Sequence, residues 1–108
     1  MPIRDCDLMI ARDLKERIAR LTPLVDFKIF GSRARGDADT ESDMDVFIEL
    51  ELRDKALEEQ ILDIAWEVGY RNGCIHVSPL IFSRHEIEES PLRSSAIVQS
   101  IAAEGVRV

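Results

Sequence analysis

Apolar residues recur along the chain at two periods, and the changes between them divide it into elements. Ile10, Leu14, Ile18 and Leu21 follow at spacings of four, four and three, the single stripe of an amphipathic helix. Asp5 or Asp7 is placed to cap its start, and Pro23 ends it at about Leu21. Val25 to Phe30 alternates until Ile29-Phe30 meets Gly31-Ser32, which predicts a strand running into a tight turn. Arg33 to Ser42 is polar apart from Ala34 and Ala38, the composition of a loop with one helical turn after Gly31. Met44, Val46, Ile48 and Leu50 then fall on one face of a second strand, and Asp43, Asp45, Phe47 and Glu49 on the other.

Leu57, Ile61, Ile64, Ala65 and Val68 return to helical spacing and predict a helix from about Arg53 to Val68, closed near Gly69 or Gly73. Cys74 to Phe82 reads as a third strand, in which Pro79 demands an edge position or a bulge. The tail holds a short Arg84–Glu89 turn or helix, Pro91, and a helical pattern through Ile97, Ile101 and Ala102 that closes at Gly105. A helix joining the second and third strands predicts an α/β (α+β) fold, a small mixed β-sheet with helices packed mainly on one face. At 108 residues the chain has room for one domain, 1–108.

Hydrophobic residues at 45% and charged residues at 32%, with few Gly and Pro, mark a globular chain and exclude disordered and disulfide-framework classes. The net charge of −7 repels a phosphate backbone, so nucleic acid is not the expected partner. Cys6 and Cys74 form neither a zinc-knuckle nor a redox pair, and reduced, buried thiols are expected. No run approaches membrane-spanning length and the first residues are too acidic for a signal peptide, which together place the chain in the cytoplasm.

The chemistry concentrates in Gly31-Ser32, ten intervening residues, and Asp43-Met44-Asp45. Alternation points both carboxylates the same way, roughly 6–7 Å apart. Such a pair repels itself unless one carboxyl is protonated or a divalent cation neutralises it, and Mg²⁺ is commonly held by one or two carboxylates plus substrate phosphates. Gly31 permits close backbone approach, and Ser32, opening a helical turn, offers its hydroxyl and neighbouring N–H groups to an anion. Arg33 and Arg35 add positive charge beside that cradle, either for phosphate oxygens or for ion pairs with Asp37, Asp39 or Glu41.

The run Ile29-Phe30-Gly31-Ser32-Arg33-Ala34-Arg35-Gly36-Asp37 through Ser42-Asp43-Met44-Asp45-Val46-Phe47-Ile48 resembles the signature of the DNA polymerase β-like nucleotidyltransferase superfamily, in its minimal single-domain (MNT) form. The resemblance implies a Gly31-Ser32 turn holding a nucleoside triphosphate, ATP first among them. It makes Asp43 and Asp45 catalytic ligands of two Mg²⁺ ions, and the reaction a transfer of nucleoside monophosphate to a hydroxyl with release of pyrophosphate. Such proteins often stand beside a HEPN-domain partner as the antitoxin of a toxin–antitoxin pair, which makes a HEPN-like protein the expected partner. On the third strand the chain departs from the pattern: no carboxylate lies between Gly69 and Arg84, and His76 or Ser78 stands where an acid is usual. His76 is then the candidate general base or weak metal ligand, against the bland reading of a polar residue on an edge strand.

Two functions follow. One is nucleotidyl transfer to a partner protein; the other is a nucleotide-binding, antitoxin-like module that neutralises its partner by contact, with little or no catalysis. His85 reads as a surface residue and Trp66 as core or interface, where a homodimer could also form.

Overall fold

The computed structural model describes residues 3–36 and 42–108. The elements run α1 (Asp5–Leu21), β1 (Leu24–Phe30), α2 (Gly31–Arg35), β2 (Met44–Leu50), α3 (Lys55–Arg71), β3 (Val77–Ser83), α4 (Arg84–Glu88), a 3₁₀ turn (Pro91–Ser94), α5 (Ala96–Glu104) and β4 (Val106–Arg107). The four strands form one sheet in the order β3-β2-β1-β4. β1 is antiparallel to β2 and β4, while β2 and β3 are parallel and joined by α3. The sheet is therefore mixed, as the sequence predicts. Pro79 lies on the edge strand β3, where its missing N–H interrupts no ladder.

Register explains which side chains share a face. Phe27 pairs with Ile48 and Ile29 with Val46, and Met44 pairs with Val77 and Ile48 with Ile81. These residues meet Ile10, Leu14 and Ile18 of α1 and Ile61, Ala65 and Val68 of α3 in the main core. α3 starts at Asp54, whose carboxylate accepts the Leu57 N–H at 2.8 Å, and α4 starts with a Ser83/Glu86 capping box. α1 departs from expectation: neither Asp5 nor Asp7 caps it, because Arg4 is the N-cap and both aspartates lie in the first turn.

The opposite face of the sheet is less polar than alternation suggests. Phe47 is buried there, its ring 5.7 Å from that of Phe82 and 5.9 Å from the Lys28 ammonium. Val98 and Ile101 of α5, which packs against β1, are buried as well. Glu49 shares this face and is only 6% exposed. Burial raises its carboxyl above the ordinary carboxylate range, Asp26 and Glu88 add to the rise, and Arg84 and Lys28 oppose it. A folded-state pKa above the unfolded one means no penalty below the unfolded value. Stability then falls as pH rises from there through the folded value. Glu49→Gln is therefore expected to melt higher than the native chain at pH 7, with the advantage vanishing near pH 4. Thermal denaturation across that range checks this, and equal melting temperatures at pH 7 would contradict it.

The cysteines also differ from expectation. Cys6 and Cys74 are free but exposed, because α1 turns Cys6 outward and Cys74 occupies a left-handed turn (φ 61°) after Gly73. No helix among the described residues is long and apolar enough to cross a membrane.

Candidate active site

β1 ends at Phe30, which pairs with Asp45 at the start of β2, so the turn that follows Phe30 is delivered to the first carboxylate of the strand. Gly31 makes that turn with φ +76°, and a Cβ built on it would lie 2.7 Å from Asp45 Oδ2. Glycine is thus required twice, for the left-handed backbone and for the closeness of the carboxylate. Ser32 and the rest of α2 follow directly, and Gly36, at φ 77°, closes the helix by returning its N–H to the Arg33 and Ser32 carbonyls. The predicted phosphate turn and one of the predicted acidic residues are therefore in contact.

Asp45 is half-buried and Asp43 exposed. Burial raises the Asp45 carboxyl above the ordinary carboxylate range, the Asp43 charge adds to the rise, and His76 pulls it back. His76 thus reaches the same patch. It lies just before β3, its carbonyl accepting the Met44 N–H at 2.9 Å. Ser78 is the register partner of Asp45. Among the described residues no group of three or more His, Cys, Asp or Glu side chains is arranged to hold a metal ion. The Asp43–Asp45 pair still fits an oxygen-preferring divalent cation, since two mutually repelling carboxylates leave remaining positions for water and phosphate oxygens.

The arginines part company with the sequence reading. Arg33 is 4% exposed and turned inward: Nη1 donates to Asp7 Oδ1 at 2.6 Å, and Nε and Nη2 donate to the Ser42 carbonyl at 3.0 and 2.7 Å. Its role as a phosphate contact is therefore corrected. Arg33 instead pins the turn after β1 to α1 and to the residue preceding Asp43. Asp7, 1% exposed, is the residue that sequence reasoning missed. Its only available sign was a polar residue three before Ile10, on the apolar side of the helix. Arg35 is exposed and reaches Glu104 at 3.9 Å. The other partners considered for the arginines, Asp37, Asp39 and Glu41, lie outside the described residues, as does Thr40.

A family model described as a nucleotidyltransferase domain matches residues 11–106. This chain belongs to the nucleotidyltransferase domain family. Among solved structures, a Sulfolobus solfataricus protein provisionally named a nucleotidyltransferase superposes with a TM-score of 0.51. It shares 21% identity over 95% of this chain and 82% of its own, a likeness of fold. No match is found among proteins of curated function. A nucleotidyltransferase domain acts on a nucleotide, and domains of this family generally use a divalent metal.

Within this nucleotidyltransferase domain, Gly31→Ala is expected to separate fold from site. The positive φ costs about 1–2 kcal/mol with a side chain present, and the new methyl displaces the Asp45 carboxylate rather than backbone. The variant should fold with slightly lower stability and lose stabilisation by nucleoside triphosphate. Differential scanning fluorimetry with and without nucleotide tests this, and an undiminished nucleotide shift would contradict it.

Proposed function

We propose that this domain transfers a nucleoside monophosphate from a Mg²⁺-bound nucleoside triphosphate, ATP first among them, to a hydroxyl on a partner protein in the cytoplasm. The observation that carries the reading is the contact of the Gly31 turn with Asp45, which supports assigning the triphosphate and the cation to neighbouring residues. Gly31 and Ser32 present backbone N–H groups and a hydroxyl to the triphosphate. Asp43 and Asp45 are the residues that would hold Mg²⁺, as one ion or two. The cation supplies charge neutralisation at the phosphates when bound. In the reaction an acceptor O–P bond forms at the α-phosphorus, the bridging α–β bond breaks, and pyrophosphate leaves. His76, beside Asp45, takes the hydroxyl proton and passes it to solvent. A HEPN-type protein is the partner that the sequence resemblance implies, with this chain as its antitoxin.

One observation favours a second reading. Ser78, not a carboxylate, faces Asp45 from β3, as suits a binding module that holds nucleotide without turnover and silences its partner by contact. Incubation with Mg²⁺, each α-labelled nucleoside triphosphate and the co-purifying partner separates the two. Metal-dependent label on the partner supports transfer. A nucleotide-dependent rise in melting temperature with no label on any protein favours the binding module.

A further inference from the structure

The side of α3 that faces the sheet is buried, but Leu62, Trp66 and Tyr70, spaced by four, form an outward stripe that is 49%, 69% and 62% exposed. The Trp66 and Tyr70 rings stack at 5.4 Å with 9° between their planes. At their foot lies a groove of about 280 Å³, closed on its other side by Cys74, Ile75, His76 and Val77. An apolar recess of this size accommodates one large side chain, not a bulky cofactor.

The place of the groove relative to the site gives it a role. Gly31 follows β1 on one side of β2, whereas His76 and the groove adjoin β3 on the other. Phosphoryl transfer proceeds with attacking and leaving oxygens roughly in line. If pyrophosphate departs on the β1 side, over Gly31 and Ser32, the attacking oxygen arrives from the β3 side, past His76. The next helical row, Glu59, Asp63 and Glu67, borders the stripe with acidic groups. Glu67 is paired with Arg71 at 2.7 Å, and Glu59 and Asp63 are exposed. This border repels a nucleic acid and would repel a second copy of itself, and it attracts a cationic segment.

We infer that the Trp66–Tyr70 groove docks the acceptor, by an aromatic side chain on a basic segment of the partner protein. The inference rests on the transfer reading for its role, but docking can be measured without nucleotide. Trp66 is the chain's one tryptophan, so its emission reports the groove directly. The probes are acetyl-Arg-Phe-Arg-amide, its Ala and Glu-Phe-Glu counterparts, and hexaadenylate, each titrated to millimolar concentration. The aromatic basic peptide is expected to change Trp66 emission saturably. The two counterpart peptides should bind at least tenfold more weakly, and Tyr70→Ala should abolish the response. Asp45→Asn should respond as the native chain does. Where label transfer to a partner occurs, Trp66→Ala should raise the acceptor KM at least tenfold and leave the nucleotide KM unchanged. Absence of a saturable response, preference for hexaadenylate, or an emission change driven by protein concentration alone would each overturn the docking inference. A normal peptide response with no transfer to any protein would overturn the transfer reading instead.

Discussion

Asp45→Asn is expected to lower nucleotidyl transfer by on the order of 10³-fold while making the folded domain more stable. Both effects come from the same carboxylate. Asp45 lies against the Gly31 turn and feels the charge of Asp43, so in the proposed transfer reaction its loss would remove one of the two carboxylates that would hold the cation and loosen the position of the triphosphate. A thousandfold loss corresponds to ~4 kcal/mol of transition-state stabilisation, the scale found when a preorganised electrostatic contact is deleted. In the absence of metal, however, the fold bears the cost of holding that charge. Burial first and Asp43 second raise its pKa above the unfolded value, so the stability contribution is highest below the unfolded pKa and declines as pH rises through the folded one. At neutral pH the neutral amide escapes this penalty. Melting temperatures in chelator and transfer rates in Mg²⁺ give the two readings. Activity within tenfold of native, or a lower melting temperature in chelator, would contradict the assignment.

Asp7→Ala is expected to cost about 3–5 kcal/mol of folding stability, the effect of leaving one member of a buried ion pair without the other. Arg33 would then be held inside the protein with its Nη1 deprived of an acceptor. The charge-free double variant Asp7→Leu/Arg33→Met should recover much of that loss, because two apolar side chains of similar volume escape the desolvation penalty. It should not recover nucleotide binding, since the Ser42 carbonyl loses both of its Arg33 donors. Urea denaturation combined with nucleotide-dependent thermal shifts distinguishes the two contributions. If the double variant binds nucleotide as tightly as the native chain, Arg33 contributes to stability alone.

This clamp also shows where reading the chain ends. β2 was legible because period-two alternation and burial agree over Met44–Leu50, and α1 and α3 were legible because their apolar stripes match the sheet they cover. The spacing of Gly31-Ser32 and Asp43–Asp45 was legible, but not the contact of Gly31 with Asp45. Its cause, the Phe30–Asp45 register, is set by the sheet. Asp7 and Arg33 are 26 positions apart, and no local pattern couples an aspartate in a helix's first turn to an arginine after the next strand. Alternation puts Phe47 and Glu49 on the second face of β2 without saying what covers it, and both are buried, with α5 covering part of that side. β4 is two residues long, too short to show a period. Trp66 fits a helical stripe, but 62, 66 and 70 form a row apart from 61, 65 and 68, and only the second row meets the sheet.

The end of α3 is held backbone to backbone. A Cβ at Gly69 would lie 2.1 Å from the Ile75 carbonyl, and the Ile75 N–H returns to the Gly69 carbonyl at 3.0 Å. The inner row of the helix therefore cannot drift, while the outer row stands largely exposed. Exchanges at Leu62, Trp66 and Tyr70 fall in the range of ordinary surface substitutions, within about 0.5 kcal/mol. A lineage carrying this domain could rewrite whom it recognises by a few neutral steps on one helix face, with the chemistry next door inherited intact.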